Sequence, residues 1–285
     1  MDDFKEKGVF ITGGASGIGL GMARAFAAAG AKVAIADIEK TRLEPAQASI
    51  ADAGASAGAE VITIELDVSD RAAVQAAAER TAEAFGKVHV LCNNAGVGSR
   101  VALQEATGDG WDWVLGVNLQ GAINGLLAFL PLLRAHGEGG HVLSTSSVSG
   151  LRVYPNREQG MYCTTKYALV GMSEALADDL APLGIGVSVI CPGFVKTDLW
   201  QSERNRPARY SKAVGKPRDA HDEMRIATAN GMDPDFFGQR ILASIKRGDF
   251  YILTDDAERD KIEARFQAQR EALDQVAELN RTHTP

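Results

Sequence analysis

The sequence predicts an α/β fold: a parallel sheet with helices on both faces. Two observations carry this. Short β-branched strands alternate with longer helical patterns, and chemically reactive or polar residues gather at the carboxyl ends of those strands. A third, a glycine-rich turn set between the first strand and the first helix, points to a bound phosphate group.

The expected strands are residues 8–12, 32–37, 61–68, 88–92, 141–145, 186–191 and 250–253. Helical patterns fill the gaps, among them 20–29, 71–85, 111–134, 161–183 and 234–247. Strand, helix, strand in repetition requires crossovers, so neighbouring strands run parallel. Near-continuous apolar strands such as 33–36 fit burial on both faces. Two stretches break the rhythm. Residues 200–232 are polar, with prolines and glycines and no strand signal, and read as a lid over a site. Residues 256–285 are charged, with Ile262, Phe266, Leu273 and Val276 near one helical stripe. They read as an amphipathic helix docked on its own domain or on another subunit. The whole chain of 285 residues reads as one domain with these decorations.

Composition narrows the function classes. A formal charge of -7, with 45% hydrophobic and 24% charged residues, disfavours a nucleic acid or an anionic membrane as partner. The cysteines, Cys92, Cys163 and Cys191, lie in apolar segments without metal-ligand spacing. Their number and setting suggest a reducing compartment, and a cytoplasmic location is expected. Residues 1–8 carry no apolar signal core, and the longest apolar stretch, 126–133, is short for a bilayer. The histidines, 89, 136, 141, 221 and 283, show no ligand spacing, so no metal is expected.

The first strand runs into Thr12-Gly13-Gly14-Ala15-Ser16-Gly17-Ile18-Gly19, and a helix pattern follows at once. Glycines there let the backbone approach a pyrophosphate, and the helix N-terminus offers it free N–H groups. Asp37 ends the second strand, 18 positions beyond Gly19. A carboxylate at that place accepts hydrogen bonds from the adenosine ribose and repels a 2′-phosphate. With Lys40 and Arg42 a turn further on, NAD is favoured over NADP.

Tyr162 and Lys166 stand four apart on one helix and share a face. A phenol is a poor base at neutral pH, and an adjacent ammonium is expected to lower its pKa. Upstream, Ser144, Ser146 and Ser147 close the fifth strand. Asn93, Asn94, Ala95 and Gly96 close the fourth, Asp67 the third, and Pro192 and Gly193 the sixth, followed by Thr197. Open α/β sheets bind their ligands at these ends.

Taken together, residues 12–19, Asp67 with Val68, 93–96, Asn118, Ser147, Tyr162, Lys166 and 192–197 resemble the motif set of the short-chain dehydrogenase/reductase family, in matching order over residues 6–199. The resemblance implies a single Rossmann-type, doubly wound sheet of about seven strands, in a homodimer or homotetramer. It also implies an NAD-dependent oxidoreductase that interconverts an alcohol and a ketone. In that scheme Tyr162 exchanges the proton and Lys166 lowers its pKa and binds the nicotinamide ribose. Ser147 binds the substrate oxygen, and Asn118 holds a water beside Lys166. Gly13, Ser16, Gly17, Ile18, Gly19, Asp37, Ile38, Asp67, Val68, Asn94, Ala95, Gly96, Tyr162, Lys166, Pro192, Gly193, Val195 and Thr197 contact the cofactor. Ser147 is chosen among its neighbours because it precedes Gly150 by three, although its distance to Tyr162, 15 positions, exceeds the family's usual spacing. Extra residues in 152–160 absorb the difference and are placed to shape the substrate pocket. Tyr154 is a rival by spacing but has Glu158, not lysine, four residues on.

Trp111-Asp112-Trp113, the segment 162–167 and the segment 205–210 are similar to bacterial Cα-dehydrogenases of lignin-derived β-aryl ethers, which oxidise a benzylic alcohol with NAD. Hydroxysteroids or other bulky alcohols are the alternative substrates. A non-catalytic NAD-binding sensor is the alternative function. Arg204, Arg206, Arg209, Lys212, Lys216 and Arg218 form a run without acids. It is expected to be a solvated face or to pair with the acid-rich tail, rather than to bind an anionic substrate.

Overall fold

The computed structural model describes residues 1, 3–155, 158–210 and 223–282. Seven parallel strands form one sheet in the order β3-β2-β1-β4-β5-β6-β7. They are β1 (Gly8–Thr12), β2 (Lys32–Asp37), β3 (Val61–Glu65), β4 (Val90–Asn93), β5 (Gly140–Thr145), β6 (Ile185–Cys191) and β7 (Tyr251–Leu253). The chain winds outward one way from β1 to β3, then crosses over β1 to β4 and continues the other way. The order therefore reverses between β1 and β4, which opens a crevice at the strand ends there.

Helices cover both faces. On one side lie α1 (Gly17–Ala28), α2 (Lys40–Ala53) and, after α7 (Glu223–Ala229), α8 (Pro234–Arg247). Met22, Phe26, Phe237 and Ile241 pack there against Val9, Ile11 and Ile35 of the sheet. On the other side lie α3 (Arg71–Phe85), α4 (Gly108–Leu115), α5 (Gly121–Ala135) and α6 (Gly160–Leu180). Val74, Ala77, Phe129 and Leu133 meet Phe10, Leu91 and Val142. Phe10 and Phe129 stack with ring centroids 4.1 Å apart. Central strands buried on both faces need apolar residues at every position, which is why β1 and β4 lack alternation.

The helix expected over 111–134 is continuous but not uniform. Residues Gly116–Gln120, between α4 and α5, form a π-helical turn that contains Asn118. Such a bulge re-aims one side chain without breaking the helix. The stretch Gly108–Ala135 is long and apolar enough by composition to cross a membrane, yet half of its most apolar window is buried inside this fold, as a core helix would be. β3 stops at Glu65, so Asp67 sits in the following loop and not in the strand.

The tail is helical as expected, α9 (Arg259–Thr282), but it has no buried residue. Phe266, Leu273, Val276 and Leu279 face outward, with Leu273 71% exposed. It meets its own domain at the root, where the Arg265 guanidinium lies 4.9 Å from the Tyr167 ring centre.

One buried histidine makes the fold acid-sensitive. His141 on β5 bonds Ser188 on β6 at 2.9 Å, and the Ser188 hydroxyl donates onward to the Asp249 carbonyl. Burial pulls the His141 pKa down to about 4. The unfolded chain takes up that proton near the ordinary value, so stability is full above it and declines as pH falls toward 4, by about 3 kcal/mol. Urea titrations across this range should show the decline, and His141→Asn should flatten it.

Candidate active site

The crevice at the switch point is lined by Gly13, Ser16, Gly17, Ile18, Asp37, Ile38, Asp67, Val68, Asn94, Ala95, Gly96, Ser147, Tyr162, Lys166, Pro192, Gly193, Val195 and Thr197. The topology thus brings to one cleft nearly all the residues singled out by sequence. Gly19 and Asn118 are behind it.

The glycine turn is shaped by close approaches. Gly13 has φ of 62° and Gly17 of 51°, the left-handed region where side chains are strained. A Cβ on Gly19 would lie 2.1 Å from the Gly13 carbonyl oxygen, so Gly19 lets α1 start directly beneath the turn. Ser16 precedes α1 without a side-chain cap bond, which leaves the first-turn N–H groups facing the cleft. Asn94 braces the turn from β4: its amide donates to the carbonyls of Thr12 and Gly13, and its carbonyl accepts from the Thr145 hydroxyl.

Asp37 is 8% exposed and accepts from two backbone N–H groups, Ala15 and Glu39, at 3.1 and 3.0 Å. Burial raises its pKa, against the pull of those two bonds. It does not act as the cap of α2, whose N-terminal flank is Glu39. The nearby cations are engaged: Lys40 with Glu65, and Arg42 with Glu39 and Asp198.

At the other end, Tyr162 and Lys166 lie on one face of α6, both buried. The Lys166 ammonium donates to the Thr145 carbonyl at 2.7 Å and stands 5.4 Å from the Tyr162 ring centre. The structure separates the serines. Ser144 is buried in β5 without a partner among the described residues. Ser146 donates to the Lys166 carbonyl and anchors α6. Ser147 is hydrogen-bonded to Tyr162, and its hydroxyl also accepts from the Ser149 N–H.

One expectation needs correction. Burial pushes the Tyr162 phenol up to about 12 in the protein alone, with only the Ser147 bond opposing, where a lowering by Lys166 was anticipated. The same burial pulls Lys166 down to about 8. Desolvation disfavours the charged form of each and is the largest cause for both. The side chain of Asn118 makes protein bonds: its Oδ1 accepts from the Val97 N–H, and its Nδ2 donates to the Val97 carbonyl and the Thr165 hydroxyl. Its direct effect is to hold the cleft floor beside Gly96, where a Cβ would lie 3.5 Å from Lys166 Nζ.

The start of the lid, a 3₁₀ stretch Leu199–Asn205, lies across the cleft. Here the basic run begins. Arg204 binds both oxygens of Glu39 at 2.6 and 3.2 Å, and Asn205 donates to the same carboxylate. Arg209 reaches Asp67 at 2.8 Å and Ser69 at 2.7 Å. Burial works against the Asp67 charge, but Ser69 and Arg209 hold its pKa below the usual carboxylate value. Arg206 pairs with Glu203 and stacks 4.0 Å over the Trp113 ring. Arg204 and Arg209 tie the start of the lid to Glu39 and Asp67, in the loops after β2 and β3, with Arg209 still half exposed as a solvated face would be; none of these three arginines pairs with the tail. Lys212, Lys216 and Arg218 lie outside the described residues. The lid's two ends are joined where Val195 and Met232 form a parallel bridge.

Sequence reading missed Glu39 as the anchor of the strap, since its partners come from 165 positions away. It also missed Gln159, which lines the cleft with Tyr154, Trp113 and Trp200. His89, His136 and Glu138, taken as unrelated in sequence, converge at the opposite end of the sheet. Their ligand atoms are already bonded. His89 takes the Gly8 N–H and meets Glu138; His136 meets the Val88 carbonyl and the Glu138 N–H. Lys7 and Lys87 also sit on Glu138, which makes a poor cation site.

Comparison with known proteins agrees with this geometry. A C alpha-dehydrogenase of Sphingobium sp. is 35% identical over 98% of this chain and 89% of its own. A short chain dehydrogenase/reductase from Burkholderia phymatum, solved in complex with NAD, superposes with a TM-score of 0.86 at 36% identity, covering 95% of this chain and 97% of that one. The apo form of LigD from Sphingobium sp. superposes with a TM-score of 0.77 at 31% identity, covering 94% and 98%. The short chain dehydrogenase model itself matches residues 7–208, from β1 to the arginine strap, and the chain belongs to that family of oxidoreductases.

Proposed function

We propose that this oxidoreductase interconverts a secondary alcohol and a ketone with NAD, and that Tyr162 exchanges the proton. One observation carries the proposal. Ser147, Tyr162 and Lys166 meet on the wall of a single cleft whose far end holds the glycine turn and a buried carboxylate, Asp37. The residues present suit the cofactor. The uncapped start of α1 suits a pyrophosphate, and Asp37 suits the ribose hydroxyls. A 2′-phosphate would meet Asp37 and Glu39 with Arg42 and Arg204 already paired, which favours NAD over NADP.

When bound, oxidised NAD supplies the hydride acceptor and a positive charge near the phenol. The chain's own residues do the rest. Ser147 orients the substrate oxygen towards Tyr162. With its phenol high in pKa, Tyr162 is a ready proton donor to a ketone. As an acceptor from an alcohol it needs neighbouring positive charge, and Lys166 is placed to supply part of it. The strap of Arg204 and Arg209 closes the adenosine end and limits water.

The substrate class we favour is a bulky aryl secondary alcohol. Trp113, Trp200 and Tyr154 line the cleft, and the name of the C alpha-dehydrogenase relative fits such a substrate. Hydroxysteroids are the competing bulky alcohols. Residues 1–285 as one domain, a homodimer or homotetramer, and a cytoplasmic setting in keeping with three free buried cysteines complete the reading. The test is NADH formation, followed by absorbance, with 1-phenylethanol and a 3-hydroxysteroid offered in parallel. NADH should appear faster with 1-phenylethanol. Tight NAD binding without turnover on either substrate or on a wider alcohol panel would favour the sensor.

A further inference from the structure

The loop between Ser147 and Tyr162 carries Tyr154 into the cleft, on the side where a substrate would meet those two residues. Behind it stands Arg152. Its guanidinium carbon lies 3.9 Å from the Tyr154 ring centre, a stacked geometry. Arg152 is itself 5% exposed, an unusual depth for arginine. It is held there by Glu258, 2.5 Å away, at the root of the C-terminal helix, and that carboxylate is also largely covered. The rest of α9 has no buried residue, so the tail engages the body of the protein mainly through its root.

A desolvated Arg–Glu pair is costly to assemble and is a weak source of stability, but it fixes direction. Its guanidinium plane covers one face of the Tyr154 ring. The ring is thus backed by Arg152 while the residue lines the cleft. Lys261 stands 3.4 Å from the same carboxylate, one helical turn along, an exposed second cation beside Glu258.

We propose that Glu258 and Arg152 are positioning residues that hold Tyr154 as the aryl-recognising wall of the substrate pocket, so that the root of the C-terminal helix sets substrate selectivity. This rests on the reading of the Ser147–Tyr162–Lys166 cleft as the reaction site. The consequence is specific. Loosening the pair blurs the place of one wall, which weakens binding of a substrate large enough to touch it. A substrate too small to reach the wall is unaffected, and so is the proton transfer at Tyr162.

The test uses the full chain with Glu258→Gln and, separately, Arg152→Lys, which keeps the charge but loses the planar stack. For both, KM for 1-phenylethanol should rise about tenfold with kcat nearly unchanged, while kcat/KM for 2-butanol stays the same. Calorimetric affinity for acetophenone, in the presence of NADH, should fall by the same factor. In a Tyr154→Ala background, Glu258→Gln should have no further effect, the signature of action through that ring. Equal losses on 1-phenylethanol and 2-butanol would indicate a merely structural pair and overturn the proposal, as would an added loss in the Tyr154→Ala background. Tyr162→Phe, assayed alongside, separates the two levels. If it remains active the reaction-site reading fails. If it is inactive while Glu258→Gln leaves selectivity untouched, only the positioning role fails.

Discussion

Tyr162→Phe is expected to lower kcat about a thousandfold in both directions, with NADH affinity nearly unchanged. The ring is buried and stays so in the variant; only the hydroxyl is removed. That hydroxyl is the one that meets Ser147. Lys166 is held by the Thr145 carbonyl and lacks reach, and the tyrosine-like rival, Tyr154, lies under Arg152. The structural cost should be small, about 1 kcal/mol for one lost hydrogen bond, because Ser147 keeps its bond from Ser149. Steady-state rates together with calorimetric binding of NADH give both halves of the result. A variant that turns over at the normal rate would remove Tyr162 from the mechanism.

Asp37→Ala should shift the preference between NAD and NADP by about a hundredfold. Two effects add. The ribose hydroxyls lose a charged acceptor, a loss of about 1.5–3 kcal/mol. A 2′-phosphate also loses its nearest repulsive neighbour and gains the two N–H groups, of Ala15 and Glu39, that Asp37 now occupies. Those donors converge on the Asp37 carboxylate at the end of β2, where two N–H groups suit an anion. Part of the discrimination should persist, since Glu39 remains beside the site, bound to Arg204. Fluorescence titration with each dinucleotide measures the ratio. An unchanged ratio would mean that Asp37 serves only to brace the turn against β2.

The strands and the residues at their ends were legible because each depends on local pattern. Apolar runs mark β1, β2 and β4 as buried on both faces, and the glycines mark the turn where α1 approaches it. Tyr162 and Lys166 share a face by helical geometry alone. Other features were not legible. Ser147 was singled out by its spacing to Gly150, but that the Ser146 hydroxyl is spent on the Lys166 carbonyl and that of Ser144 is buried without a partner among the described residues depends on how β5 and α6 pack together. Asn118 was recognised by its motif, but its π-helical turn and its bonds to Val97 and Thr165 are not written in spacing. The partners of Arg204 and Arg209 were not legible because their acids, Glu39 and Asp67, lie far upstream.

By itself, then, the sequence determined the αβ alternation, the phosphate-type turn, the acid after β2 and the phenol–ammonium pair, since each follows from backbone sterics or helical period within a few dozen residues. The tertiary structure decided how those groups behave. Bringing β1, β4, β5 and α6 to one crevice buried Tyr162 and Lys166 deeply enough that desolvation governs their protons. It also tied the start of the lid to Glu39 and Asp67 and the root of the tail to Arg152, because charges distant in the chain find partners only once the sheet has fixed where they stand.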